Sequence, residues 1–244
     1  MEIRYVQIIV FICLSSFSIN SVNINKVHFF GESHAAFCFC KPENCWGSQY
    51  SYTTNLNKIE ITAPFSINHL GPKTMHRVGR DGVNFLNIKN YGVQNEETAV
   101  FVFGEIDVRC HIGKQRDLNN RNLDEVIDTL AKKYIETIVI NKNMFEKINI
   151  FIVSITPPTN QSPNPDYPIY GSLQDRINIT QKLNLKLKEL SALNQIYFLD
   201  IYQLLSNNNG SLNPPMSDGS VHMNPKYNYL AKNKLIEMIL EIEN

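Results

Sequence analysis

The chain has 244 residues, with 23 Lys and Arg balanced by 23 Asp and Glu. That length suffices for one well-buried core and lies near the upper end of single-domain sizes. With zero formal net charge and no long run of one sign, nothing marks a nucleic-acid-binding or polybasic membrane surface, and the expected ligand is small or neutral.

The first element is the apolar stretch YVQIIVFICL, residues 5–14. It has the length of a signal-peptide core and is far short of the roughly 20 residues that span a bilayer. Ser16 and Ser18 are spaced as a secretory cleavage site requires, although Glu2 cancels Arg4 and removes the usual positive start. Residues 1–22 are therefore read as a signal peptide or hydrophobic extension, and residues 23–244 as one domain. The mature chain is expected to be secreted, with no integral span; the alternative is a cytoplasmic chain whose first segment packs on the domain. Removal of the leader takes Cys13 and leaves Cys38, Cys40, Cys45 and Cys110, an even number that permits disulfides without requiring them. CFCKPENC lacks the paired spacing and the histidines of a zinc site, so buried thiols or a bridge are expected.

Residues 26–30, 98–103, 148–155 and 196–201 are short, continuous apolar runs. Such runs fit a parallel sheet covered on both faces, whereas half-exposed strands alternate. Residues 65–70 read as a further strand. The stretch 38–68 lacks periodicity and reads as loops with at most one short strand, with the placement of a lid. Helices are predicted over 123–141 after the cap Asn122, over 173–193 after the cap Ser172, and over 225–242, where Pro225 suits a first turn. Strands alternating with helices imply right-handed βαβ units in an open, doubly wound sheet. Sites in such sheets lie beyond the carboxyl ends of the strands, so the segments that follow the strands carry the argument.

Those segments are Gly31-Glu32-Ser33-His34, then Gly104-Glu105-Ile106-Asp107-Val108-Arg109, and, before the last helix, Asp218-Gly219-Ser220-Val221-His222. A serine hydroxyl is a weak nucleophile until a base takes its proton, and the base works when a third group fixes its tautomer. Asp218 and His222 on one loop can supply base and orienting carboxylate to Ser33. Gly31 lets the chain turn tightly, and a helix beginning after Ser33 would aim free N–H groups at an oxyanion.

GESH, GEID and DGSVH resemble the first, third and last blocks of the SGNH, or GDSL-like, hydrolases. GEIDVRCH further resembles a subgroup whose third block is Gly-Glu-Ile-Asp followed by Arg. The resemblance brackets nearly the whole mature chain. It implies a flavodoxin-like three-layer α/β/α sandwich with a central parallel sheet, no metal or organic cofactor, and esterase, lipase or carbohydrate O-deacetylase chemistry through an acyl-serine. It carries over Ser33 as nucleophile, His222 as general base and then acid, and Asp218 as orienting carboxylate; of Gly71, Gly79 and Gly82, Gly71 is chosen as the second-block glycine whose N–H joins the oxyanion hole, because it follows the strand at 65–70, a simple turn glycine being the other reading.

Three positions depart from the family pattern. Glu32 replaces the common Asp, a change expected to alter only local packing. Ile106 replaces the Asn whose side chain donates to the oxyanion, and loss of such a donor costs on the order of 2.7 to 4 kcal/mol of transition-state stabilisation. Arg109 and His111 are the nearest substitutes; Arg109 could also clamp a substrate carboxylate or phosphate, but a structural ion pair with Asp107 or Glu105 is the preferred reading of it. Three residues separate Asp218 from His222 where the family has two. The expected ligand is a small polar or carbohydrate ester. Three functions stay open: a serine esterase, a glycan-binding module with weakened catalysis, and an acyltransferase to a sugar.

Overall fold

The computed structural model describes residues 21–40, 47–159, 166 and 168–243. Most of the segment read as a leader, together with Cys13 and Cys45, lies outside the described residues. Ser21 and Val22, at the leader's predicted end, belong to a strand.

The elements in chain order are β1 (Ser21–Asn23), β2 (Val27–Gly31), α1 (Ser33–Phe39), β3 (Gln49–Leu56), β4 (Ile59–His69), α2 (Met75–Asp81), β5 (Thr98–Val102), α3 (Ile112–Leu118), α4 (Leu123–Lys142), β6 (Asn149–Val153), α5 (Leu173–Leu193), β7 (Tyr197–Leu199), α6 (Tyr202–Leu205) and α7 (Asn228–Glu243). α4 and α5 start where their caps predict, whereas Pro225 opens a 3-10 turn, Pro225–Tyr227, and α7 itself begins at Asn228. The Asn122 side chain accepts from the N–H groups of Asp124 and Glu125, and that of Ser172 from Asp175. Each such cap contributes roughly 1 kcal/mol.

Strands β4, β2, β5, β6 and β7 lie side by side in that order and are parallel throughout. β1 and β2 run end to end along one edge of β4, and antiparallel β3 covers the other. The chain leaves β2 toward β4 on one side and later returns to β5 on the other. The strand order thus reverses at β2, the point beyond whose carboxyl end a doubly wound sheet is expected to bind its ligand.

Every residue of β2 and β5 is buried, as their unbroken apolar runs require. Alternate side chains face opposite layers. Phe29, Val100, Val102 and Phe151 pack with Ala35, Ala36 and Phe39 of α1 and with Leu235 and Ile239 of α7. Phe30, Ala99, Phe101 and Ile152 pack with Met75 and Val78 of α2, with α4 and with Leu183 and Leu187 of α5. Each buried aromatic or branched side chain contributes about 1.5 to 3 kcal/mol, so the two faces together hold the three layers. This is the expected flavodoxin-like α/β/α sandwich.

The loop expectation for 38–68 is corrected by the β3–β4 hairpin. Its strands meet at Leu56 and Ile59 across a two-residue turn in which Asn57 and Lys58 have φ of 51° and 67°. Two left-handed residues give the turn whose twist matches a hairpin. Burial alternates along β3, and Tyr50 and Tyr52 set their rings on Phe65 at centroid distances of 5.6 and 5.5 Å.

Gly31 ends β2 because a side chain has no room there: a Cβ would stand 2.2 Å from the Val102 carbonyl oxygen of β5. Gly31→Ala must therefore spread the two central strands, at a cost of about 1 to 3 kcal/mol. A thermal unfolding scan should register a loss of about 2 to 4 °C per kcal/mol. An unchanged midpoint would refute the close approach.

Candidate active site

Glu32 follows β2 and serves as N-cap of α1, its carboxylate accepting from the His34 N–H at 3.1 Å. Ser33 therefore stands at the first helical position, where its own N–H has no acceptor within the helix. Its Oγ lies 2.8 Å from Nε2 of His222, a residue 189 positions away. Asp218 places Oδ2 3.3 Å from Nδ1 of the same ring. Ser33, His222 and Asp218 are thus brought together.

The three residues between Asp218 and His222 are absorbed by a tight turn. The Asp218 N–H donates to the His222 carbonyl, the Ser220 N–H donates to Asp218 Oδ1 at 2.7 Å, and Gly219 takes φ +85°. One carboxylate oxygen shapes the loop while the other faces the imidazole. Phe37, one turn along α1 from Ser33, lies flat against the His222 ring with centroids 4.1 Å apart and planes inclined by 7°.

Two residues beside the serine were given too little weight in the sequence. Glu32 contacts Ser33 Oγ at 2.9 Å and sets its other oxygen 3.0 Å from Nδ1 of His34. His34 in turn directs Nε2 at the Val221 carbonyl, 3.3 Å away, and so ties the loop of Asp218 and His222 to α1. Glu32 is 1 % and His34 2 % exposed. Burial works against charge on His34, but the adjoining Glu32 carboxylate outweighs it and raises the ring to about 9. Burial likewise opposes the Glu32 carboxylate, yet the His34 charge and hydrogen bonds from His34 and Ser33 hold it below its usual range. His222 goes the other way: burial and the charge on His34 lower it to about 4, against the pull of Asp218 and Glu32. It is therefore a neutral imidazole at ordinary pH.

The serine proton has two neighbours, Glu32 Oε2 and His222 Nε2. With Nδ1–H of His222 turned to Asp218, Nε2 is an acceptor and can take it. Two carboxylates thus frame the serine in different ways, Asp218 by orienting the imidazole and Glu32 by touching the hydroxyl.

The other sequence candidates lie around this centre. Gly71 has φ +76° just beyond β4, and its N–H donates to Nδ1 of His69 at 3.3 Å. Ile106 carries no donor on its side chain. Arg109 is 7 % exposed and engaged by Glu105 at 2.7 Å and the Pro168 carbonyl at 2.9 Å. Burial raises Glu105, although His34 and Arg109 pull it down. Asp107 accepts from the N–H groups of Met75 and His76 at 2.7 and 3.2 Å, which joins the exit of β5 to α2; burial still raises it to about 7. His111 lies in a π-helical segment, Asp107–His111, and lines a groove with His76. Cys38, Cys40 and Cys110 are free thiols, and burial raises the Cys38 thiol. Among the described residues no three His, Cys, Asp or Glu side chains form a metal-binding group. No helix of the described residues is long and apolar enough to cross a membrane.

No family model matches the chain, and no curated protein does. Solved structures do. A GDSL-like lipase from Bacteroides thetaiotaomicron is similar over 90% of this chain and 89% of its own, with 16% identity and a TM-score of 0.54. A carbohydrate acetylesterase from Sinorhizobium meliloti is similar over 89% of this chain and 99% of its own, with 12% identity and a TM-score of 0.55. The aryl esterase of M. smegmatis has the same coverage and identity, with a TM-score of 0.52. The sheet order, the two helical layers and these likenesses together give the chain the fold of the SGNH, or GDSL-like, hydrolases.

Proposed function

We propose that the protein is a serine hydrolase that cleaves ester bonds of a small polar or carbohydrate-borne alcohol through an acyl-serine at Ser33. The observation that carries this reading is the 2.8 Å contact between Ser33 Oγ and His222 Nε2, with Asp218 on the far side of the ring. His222 takes the hydroxyl proton as Oγ attacks the ester carbonyl carbon. Asp218 holds the Nδ1–H tautomer and stabilises the imidazolium that forms. The imidazolium then protonates the departing alcohol, and a water repeats the sequence to release the acid and free Ser33.

The oxyanion would draw on the Ser33 N–H and on the Gly71 N–H, which must leave His69 to serve. With Ile106 in place of a side-chain donor, acyl transfer is expected to be slower than in an enzyme that has all three. That same substitution favours a second reading, a glycan-binding module with weakened catalysis.

Labelling with a fluorophosphonate separates the two. Attack by Ser33 Oγ forms an O–P bond and expels fluoride. Intact mass should show one stoichiometric adduct that is absent from Ser33→Ala and His222→Ala. A folded wild-type protein that takes no adduct would sink the hydrolase reading and leave the binding module.

A further inference from the structure

Between α2, α3 and α4 lies a groove of about 340 Å³, room for a group of monosaccharide size. Its walls include His76 of α2, His111 before α3, Arg121 before α4, and Lys133 of α4. None of the ion pairs among the described residues involves these four side chains. The nearby acid on α2, Asp81, is already held by Arg77 and Arg80 at 3.2 and 2.6 Å. The carboxylate in the lining, Asp107, is buried and gives its oxygens to the N–H groups of Met75 and His76. The chain as a whole has no net charge, so the two cations that no ion pair engages, Arg121 and Lys133, are a local concentration, and burial and neighbouring positive charge keep the His111 imidazole below its usual range, as an uncharged donor beside them.

The groove shares the ligand-bearing edge of the sheet. Thr74 and His76 follow β4, and Asp107 and His111 follow β5. The exit of β4 is tied to the start of the serine turn, since the Leu70 N–H donates to the Gly31 carbonyl at 2.8 Å. Glu32, which touches Ser33, is also among the charges that act on Asp107.

We propose that this groove binds an anionic group, a phosphate, sulfate or carboxylate, on the molecule whose ester meets Ser33. The substrate class becomes acylated acidic sugars or acylated alcohols bearing a phosphate or sulfate. Arg121 offers a planar fork suited to two oxygens of such a group, Lys133 a point charge, and the imidazoles further N–H donors. The assignment to substrate rests on the serine-hydrolase reading; the anion site itself does not.

Calorimetric titration of the full chain with glucose 6-phosphate, glucose 6-sulfate, glucuronate and glucose tests the site. At low ionic strength an anionic sugar should bind and glucose should not, and Arg121→Gln/Lys133→Gln should weaken binding about tenfold or more. Comparing the three anions identifies the preferred headgroup. Equal binding of charged and neutral sugars, or an unaffected double variant, overturns the anion site.

The substrate assignment is read separately from kcat/KM for O-acetylglucuronate against O-acetylglucose. The anionic ester should be favoured about tenfold, through KM, and the preference should collapse in the double variant. Anion binding with equal kcat/KM overturns the placement on the substrate. Anion binding without hydrolysis of any ester overturns the serine-hydrolase reading and leaves the anion site standing.

Discussion

Ser33→Ala is expected to lower ester hydrolysis by a factor on the order of 10⁴ or more, and His222→Ala by a similar factor, because nucleophile and base act as one unit. Neither change should abolish the fold. Ser33 contributes only a hydroxyl to a helix whose cap is Glu32, and its loss leaves the Glu32 and His34 pair in place. Steady-state rates on acetyl esters, taken with circular dichroism of each variant, make the check. Hydrolysis retained by folded Ser33→Ala would remove the acyl-serine. The wild-type pH profile should carry the mark of the same imidazole. Burial and the charge on His34 hold His222 at about 4, so kcat/KM should persist through pH 5 and fall as His222 gains its proton near pH 4. An acidic limb at the ordinary value of 6.5 would contradict the crowding of His222 by His34 and Phe37.

Glu32→Gln is expected to be the larger insult to stability, on the order of 3 kcal/mol, because it strands a buried imidazolium. Urea unfolding measures the loss, and Glu32→Asp, which keeps the charge, should lose less. The pH dependence gives an independent test. His34 is raised from 6.5 to about 9, so its contribution is complete below 6.5 and disappears as pH rises through about 9. Glu32 is lowered from 4.5, so its contribution is complete above 4.5 and is lost as pH falls through its folded value. Wild-type stability owed to this pair should thus hold between pH 4.5 and 6.5 and decline toward pH 9. In Glu32→Gln the alkaline decline should shrink. A wild-type protein equally stable at pH 6.5 and 9 would exclude the charged pair.

The central strands were legible in the sequence because burial on both faces forces unbroken apolar runs, and the long helices because Asn122 and Ser172 announce their starts. That Ser33, Asp218 and His222 come together was legible from the place of Ser33 after a strand, of the other two before the last helix, and from the resemblance of GESH and DGSVH to family blocks. The β3–β4 hairpin was not, although Tyr50, Tyr52, Thr53 and Thr54 suit a strand and alternate. Its turn is Asn57-Lys58, without the glycine that usually marks two left-handed residues, and the polar face of β3 masked the pattern. The short α3 and the π-helical turn before it were missed because no cap precedes them; neither Ile106 nor His111 makes a side-chain capping bond. The weight of Glu32 and His34 was hidden for another reason. Their partners, the Ser33 hydroxyl and the Val221 carbonyl, meet only through folding, and local sequence cannot distinguish a solvated Glu and His from a buried pair.

The order of the strands also sets when Ser33 and His222 can first meet. β2, early in the chain, lies at the centre of the sheet, and its partner β5 is synthesised about 70 residues later; His28 pairs with Ala99. A hairpin such as β3–β4 closes locally and fast, whereas β2 must wait for distant partners, a topology that folds slowly. His222 arrives later still, 189 residues after Ser33. During synthesis Ser33 is thus made long before the imidazole that touches its hydroxyl. A chain truncated before Asp218 holds Ser33 without either partner, so on the acyl-serine reading it should take no fluorophosphonate until residues 218–222 are present.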